Sequence, residues 1–189
     1  MGKVLVTGAN GYIARHMILS LLDEGKEVVG LDNGINSRAP EAFFAPLNVP
    51  YIHADIGDIA ALEHLFAEHP AIDSIIHFAG LIYVAESLEK PHLYYQANTS
   101  SALTFFHFMM RRGVKNIVFS SSAGVYGEAK SLPIAEDHPR DPINPYGRSK
   151  LATEWILEDL ARLFPEVNIT MLRYFNVAGA DMQKRTGQN

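Results

Sequence analysis

A doubly wound α/β domain, a parallel sheet with helices on both faces, is the fold class this sequence predicts, and three features predict it. Short β-branched runs alternate with longer stretches of helical periodicity. The runs are apolar on both faces, as parallel strands covered on each side must be. A glycine-rich turn, Thr7-Gly8-Ala9-Asn10-Gly11, joins the first run to the first helical stretch.

The elements follow in order. Val4-Leu5-Val6 is the first strand, followed by a helix from Tyr12 to Glu24 with Gly25 as its stop. Val28-Val29-Gly30-Leu31 is the second strand and Tyr51-Ile52-His53-Ala54 the third. A short helix runs from Ile59 to Glu68, then Ile75-Ile76-His77-Phe78 forms the fourth strand. A long helix spans Tyr94 to Arg112, the fifth strand Asn116 to Ser120, another helix Pro145 to Leu163, and the sixth strand Asn168 to Leu172. No repeat, low-complexity tract or linker interrupts the pattern, so residues 1–189 read as one domain.

Composition narrows the function. Apolar residues are 48% and charged residues 20% of the 189, the balance of a globular protein. The net charge is -5, and only Arg111, Arg112 and Lys115 cluster, which argues against nucleic acid or an anionic membrane as partner. There is no cysteine for disulfides or thiolate metal sites. His16, His64, His69, His77, His92 and His107 show no ligand spacing, so no metal is expected. Lys3-Val4-Leu5-Val6 is strand-like rather than a signal peptide, and Val6 stands where N-myristoylation needs Ser or Thr. No apolar run reaches the length of a membrane span, and the expected compartment is the cytoplasm.

Gly8 permits the tight turn after the first strand, and Gly11 lets a pyrophosphate approach N–H groups at a helix N-terminus, where the dipole favours an anion. Ala14 takes the third small position, where a methyl group still allows close helix–strand packing. The spacing is G-x-x-G-x-x-A, in a strand–turn–helix context that marks a Rossmann-type dinucleotide site. Asp32 closes the second strand about 20 residues on, where a carboxylate binds the adenosine ribose. A carboxylate repels a 2′-phosphate, and the following Asn33-Gly34 supply no arginine to receive one, so NAD is favoured over NADP.

Asn144-Pro145 reads as an N-cap followed by Pro at the first helical position. Tyr146 and Lys150 then share one face of the helix. A phenol with a reference pKa of about 10 is a poor base near neutrality. A neighbouring ammonium and a cationic nicotinamide favour the phenolate, and Lys150 is also placed to hold the nicotinamide ribose. Ser120-Ser121-Ser122 ends the fifth strand, at the sheet edge where α/β folds place ligands. Ser122 is positioned to hydrogen-bond a sugar hydroxyl and share its proton with Tyr146. Taken singly, the serines are also ordinary turn chemistry and Tyr146–Lys150 an ordinary helix surface.

These segments, with Val6–Ile13, Leu31-Asp32-Asn33, His77-Phe78-Ala79-Gly80-Leu81, Val125-Tyr126-Gly127 and Leu172-Arg173-Tyr174-Phe175-Asn176, resemble the UDP-glucose 4-epimerases, in the same order along the chain. That family belongs to the extended branch of the short-chain dehydrogenase/reductases, the NAD-dependent epimerases and dehydratases. The resemblance implies interconversion of UDP-glucose and UDP-galactose through a 4-keto intermediate, with Tyr146 removing the 4-hydroxyl proton as hydride passes to tightly held NAD. It also implies a homodimer. By resemblance, NAD is touched by Tyr12, Ile13, Asp32, Asn33, Asn36, Ser37, Asp55, Ile56, Phe78, Ala79, Gly80, Asn98, Lys150 and Phe175, besides Gly8, Gly11 and Tyr146. Asn176, Ser122 and Tyr146 would contact the UDP-sugar.

Ile82 and Gly124 depart from the family pattern, which places Lys and Thr there. The sequence stops at Asn189, just beyond the sixth strand, whereas the family supplies most sugar-nucleotide contacts from a further stretch. The expectation is a chain that folds and holds NAD with little epimerase activity. Two alternatives compete. A nucleotide-sugar 4,6-dehydratase would place an Asp-Glu pair after the fifth strand, where Ser122-Ala123-Gly124-Val125 has no carboxylate. A non-catalytic NAD-binding module would need neither Tyr146 nor Lys150.

Overall fold

The computed structural model describes residues 2–35 and 39–187, so the expected contacts Asn36 and Ser37 lie outside the described residues. Six strands, β1 (Lys3–Thr7), β2 (Val28–Asp32), β3 (Tyr51–His53), β4 (Ile72–His77), β5 (Asn116–Ser122) and β6 (Asn168–Tyr174), form one sheet. Their order is β3-β2-β1-β4-β5-β6 and every pairing is parallel. The strand order reverses between β1 and β4, where Thr7 pairs His77. That reversal opens the crevice in which such sheets bind ligands.

Helices cover both faces. On one side α1 (Tyr12–Asp23) and α2 (Pro40–Leu47) bury Ala14, Ile18, Leu19, Phe43 and Phe44 against Val6 and Val28. On the other, α3 (Ile59–Glu68), α6 (Ser101–Arg111) and α7 (Pro145–Leu163) bury Leu62, Leu65, Phe105, Phe106, Met109 and Leu157 against Leu5, Ile75, Ile117 and Phe119. Phe105 and Phe106 are wholly buried. Deleting such a ring costs about 3–5 kcal/mol.

The expected α3 and α7 match the structure, and the strand ends differ by a few residues. Three helices were not foreseen. Pro40 and Pro46 disguise α2 as a loop, and Pro91 divides α4 (Val84–Glu89) from the single turn α5 (Pro91–Tyr94). The expected long helix from Tyr94 begins as a π-helical turn, Tyr95–Ser100, before α6. Such turns occur often at functional sites, and this one carries Asn98.

Candidate functional site

Gly8 has φ +64°, and a Cβ there would lie 2.7 Å from Ala79 N and 2.8 Å from the Phe78 carbonyl carbon. Conformation and close approach both require glycine, so the β1 turn and the β4 turn lie against each other across the crevice. Gly11 N–H donates to Gly8 O at 2.9 Å and caps α1 in extended conformation. The first-turn N–H groups of α1, at Tyr12 and Ile13, therefore open onto the crevice without partners inside the helix. Ala14 is buried, as close helix–sheet packing requires.

Asp32 ends β2 nearly buried, and its carboxylate accepts from Asn10 N–H at 3.1 Å and Gly34 N–H at 2.7 Å. The carboxylate thus ties the end of β2 to the glycine turn. Next to it Asn33 Nδ2 donates to Asp55 Oδ2 at 2.9 Å, and Gly57 N–H donates to Asp55 Oδ1 at 2.8 Å. Ile56 is core, packed on the α3 and α6 side.

After β4, Gly80 has φ +151°, and a Cβ there would lie 2.7 Å from Asn98 Oδ1. The buried Asn98 amide is a clamp: Oδ1 accepts from Leu81 N–H at 2.8 Å, and Nδ2 donates to Leu81 O at 3.0 Å and Ser149 Oγ at 3.1 Å. Its role in a cofactor site is to fix the Phe78–Gly80 turn against α7. Thr7 Oγ1 and His77 Nδ1 are hydrogen-bonded at 2.8 Å behind that turn, and burial lowers the His77 pKa to about 3, keeping the ring neutral.

Asn144 Oδ1 accepts from Gly147 N–H at 2.8 Å and Pro145 opens α7, as expected. Lys150 is buried, its Nζ donating to Ser120 O at 3.0 Å and standing 5.1 Å from the centre of the Phe119 ring. The same Nζ would be 3.6 Å from a Cβ on Gly80. Burial lowers the Lys150 pKa to about 8. Ser122 Oγ accepts from Gly124 N–H at 3.1 Å, which orients the hydroxyl and leaves its proton for another acceptor. A Cβ on Gly124 would lie 3.3 Å from Ser122 Oγ and 3.8 Å from Tyr146 Cε1, so Ser122 and Tyr146 flank one point.

A buried charge network not foreseen from the sequence backs this edge. Glu154 of α7, fully buried, accepts from Ser121 Oγ, from Arg173 Nε at 3.0 Å and Nη2 at 2.9 Å, and from Arg140 Nη1 at 3.3 Å. Arg173 also donates to Tyr126 OH at 2.8 Å and Glu136 O at 2.9 Å, and Glu154 holds its pKa above the ordinary value. The sequence carried no local signal for it, because Glu154 shares its buried side of α7 with Ser149, Lys150 and Thr153 as well as with leucines. Arg15 was also missed. Its guanidinium reaches back from α1 to Asn10 Oδ1, five residues earlier in the glycine turn.

Gly8–Ile13, Asp32, Phe78–Gly80, Ser122, Tyr146 and Lys150 therefore share the C-terminal edge of the sheet. Phe175 and Asn176 follow β6 as exposed residues, outside this cluster's packing. The chain then folds back on α1, where Tyr12 OH donates to Gly179 O at 2.6 Å and Arg185 bridges Asp23 and Asp181. A cavity of about 180 Å³ lies there, between Tyr12, Ile13, His16 and residues 177–180.

Residues 4–189 match the model of the NAD dependent epimerase/dehydratase family. The UDP-glucose 4-epimerase of Azospirillum brasilense is 46% identical over 186 residues, covering 98% of this chain and 52% of that protein. That of Yersinia enterocolitica is 43% identical, over 99% of this chain and 57% of its own length. The crystal structure of UDP-glucose 4-epimerase from Bifidobacterium longum in complex with NAD+ and UDP superposes with a TM-score of 0.92 at 44% identity, over 99% of this chain and 57% of that one. The chain spans about half the length of the curated relatives it matches.

Proposed function

The chain belongs to the NAD dependent epimerase/dehydratase family, and from that premise we propose that it holds NAD for the interconversion of UDP-glucose and UDP-galactose. The observation that carries this reading is the meeting of two groups of residues at one sheet edge. The glycine turn and Asp32 stand on one side, and Ser122, Tyr146 and Lys150 on the other, joined through Gly80 and Asn98.

The residues fit a dinucleotide. Gly8 and Gly80 keep clear a cradle that a Cβ would fill, and the first turn of α1 offers N–H groups to a pyrophosphate. Asp32 and Asn33 receive the adenosine ribose, with Asp55 beside them, and Phe78 and Ala79 line the turn. NAD held there would supply reversible hydride acceptance at the sugar C4. Tyr146 takes the O4 proton as the C4–H bond breaks, leaving a carbonyl at C4, and gives the proton back on return. Ser122 hydrogen-bonds O4, and Lys150 holds the ribose and favours the phenolate. Phe175 and Asn176, exposed just after β6, are the residues assigned to the nicotinamide and sugar sides. A dehydratase lacks support, because Ala123-Gly124-Val125 places no carboxylate beside Ser122.

Among the described residues no helix is long and apolar enough to cross a membrane. The cytoplasm, with its NAD and nucleotide sugars, is the proposed compartment, and a homodimer the proposed assembly. Leu103 of α6, Trp155 of α7 and Tyr95 of the π-helical turn before α6 are exposed side chains, a surface suited to a second copy.

Single-turnover reduction tests the reading. The NAD-loaded chain mixed with UDP-galactose should show the absorbance of reduced nicotinamide, and Tyr146→Phe should slow its appearance by about 10²–10⁴-fold without releasing NAD. Equal rates would remove Tyr146 as base, and no reduction at all would favour a binding module over an enzyme.

A further inference from the structure

The adenosine end of the site contains a cation as well as the carboxylate. Arg15 Nε donates to Asn10 Oδ1 at 3.1 Å, and Nη2 donates to the same oxygen. The Asn10 backbone N–H donates to Asp32 Oδ2 at 3.1 Å. One residue of the glycine turn thus carries the guanidinium on its side chain and the carboxylate on its backbone. The Phe43 ring lies under the guanidinium, its centre 4.9 Å from Cζ. Burial lowers the Arg15 pKa and Asp32 opposes that effect, which places the two charges within electrostatic reach. An arginine stays protonated under such conditions. The buried Tyr51 hydroxyl has no hydrogen-bond partner among the described residues, and it too is acted on by Asp32, Glu41 and Arg15.

We propose that Arg15 is a second cofactor-selecting residue, a receptor for a phosphate on the adenosine 2′-hydroxyl whose attraction Asp32 overrides. A guanidinium pairs with phosphate through parallel N–H donors. Here Asn10 and Phe43 already hold it, so little side-chain freedom is lost on binding. Asp32 accepts ribose hydroxyls and repels the phosphate, and the net preference for NAD is the difference between the two residues. The proposal rests on the dinucleotide-site reading above. It goes further in one respect: removing Asp32 converts the site toward NADP instead of merely making it indifferent.

Equilibrium titrations of the 189-residue chain with NAD and NADP test it, using the unaltered protein, Asp32→Ser, Arg15→Met and the double variant. The ratio of the two affinities in each protein cancels any general loosening of the glycine turn. Asp32→Ser should move the ratio toward NADP by about tenfold or more, and adding Arg15→Met should take back at least about threefold of that. A ratio in the double variant equal to that of Asp32→Ser would overturn the proposal while leaving the NAD site intact. Failure of the unaltered chain to bind NAD would overturn both. If Asp32→Ser does not fold by thermal melting, Arg15→Met alone decides. It should widen the preference for NAD by about threefold, and an unchanged ratio contradicts the assignment.

Discussion

The role proposed for Lys150 needs an ammonium, yet burial opposes the charge and lowers its pKa from the ordinary 10.5 to about 8. The unfolded chain keeps this proton to higher pH than the folded one. Folding therefore releases a proton between about pH 8 and 10.5, and stability rises with pH through that window. Below about pH 8 the whole desolvation cost is present. Lys150→Met should raise the melting temperature of the unliganded chain at pH 7 by about 2–6 °C, and the gain should shrink toward pH 10. Calorimetric melts at both values check it. No gain at pH 7 would show that the Ser120 carbonyl and the Phe119 ring offset the burial.

Among the elements, α7 does most to assemble the site, and its ends were legible in the sequence. Asn144 caps it, Pro145 opens it, and its apolar period runs to Leu163. The glycine turn, Asp32 and the serines at the end of β5 were equally legible, because each is tied to a local conformation or a strand end. What escaped were contacts between elements far apart in sequence. Asn98 reads as one polar residue in a helix, and only the π-helical turn aims its amide at Leu81 and Ser149. Arg15 and Asp32 lie on α1 and β2, and Asn10 bonds to both. Glu154 and Arg173 read as surface charges on α7 and β6, whereas the fold buries the carboxylate completely.

That pair gives the element scale its test. Arg173→Met removes the two-pronged partner of the buried Glu154 and leaves it only the Ser121 hydroxyl and the Arg140 guanidinium at 3.3 Å. An uncompensated buried charge costs about 3–5 kcal/mol. Replacing both as Glu154→Leu with Arg173→Met should recover much of that loss, since no charge is then left alone. Urea unfolding of the three variants measures it. Additive losses in the double variant would mean that the two side chains stabilise β5, β6 and α7 independently of each other.

For the whole molecule, apolar side chains stay exposed on several surfaces, two of which bear on assembly and ligand. One follows β6, where Leu172, Phe175 and Val177 are exposed. The other lies along α6 and α7, where Leu103 and Trp155 face solvent. Below it, between α3 and α6, runs a groove of about 720 Å³ that includes Leu103, Ile59 and Phe108. A second copy seated on α6 and α7 would cover this face, and apolar patches of this kind mark interfaces. Leu103→Asp combined with Trp155→Asp should therefore shift a dimer to monomer in sedimentation equilibrium, and the melting temperature should fall and lose its dependence on protein concentration as the dimer is lost. A monomeric unaltered chain would contradict the assembly.

The central claim is that NAD occupies the crevice between the β1 and β4 turns, with its far end at the start of α7. Hydrogen–deuterium exchange of the chain with and without NAD tests this most directly. The account predicts slowed exchange at 8–15, 32–35, 78–82 and 144–151, with the α3–α6 groove unchanged. Binding accompanied by protection along α3 and α6 instead, or no change anywhere at saturating NAD, would contradict it.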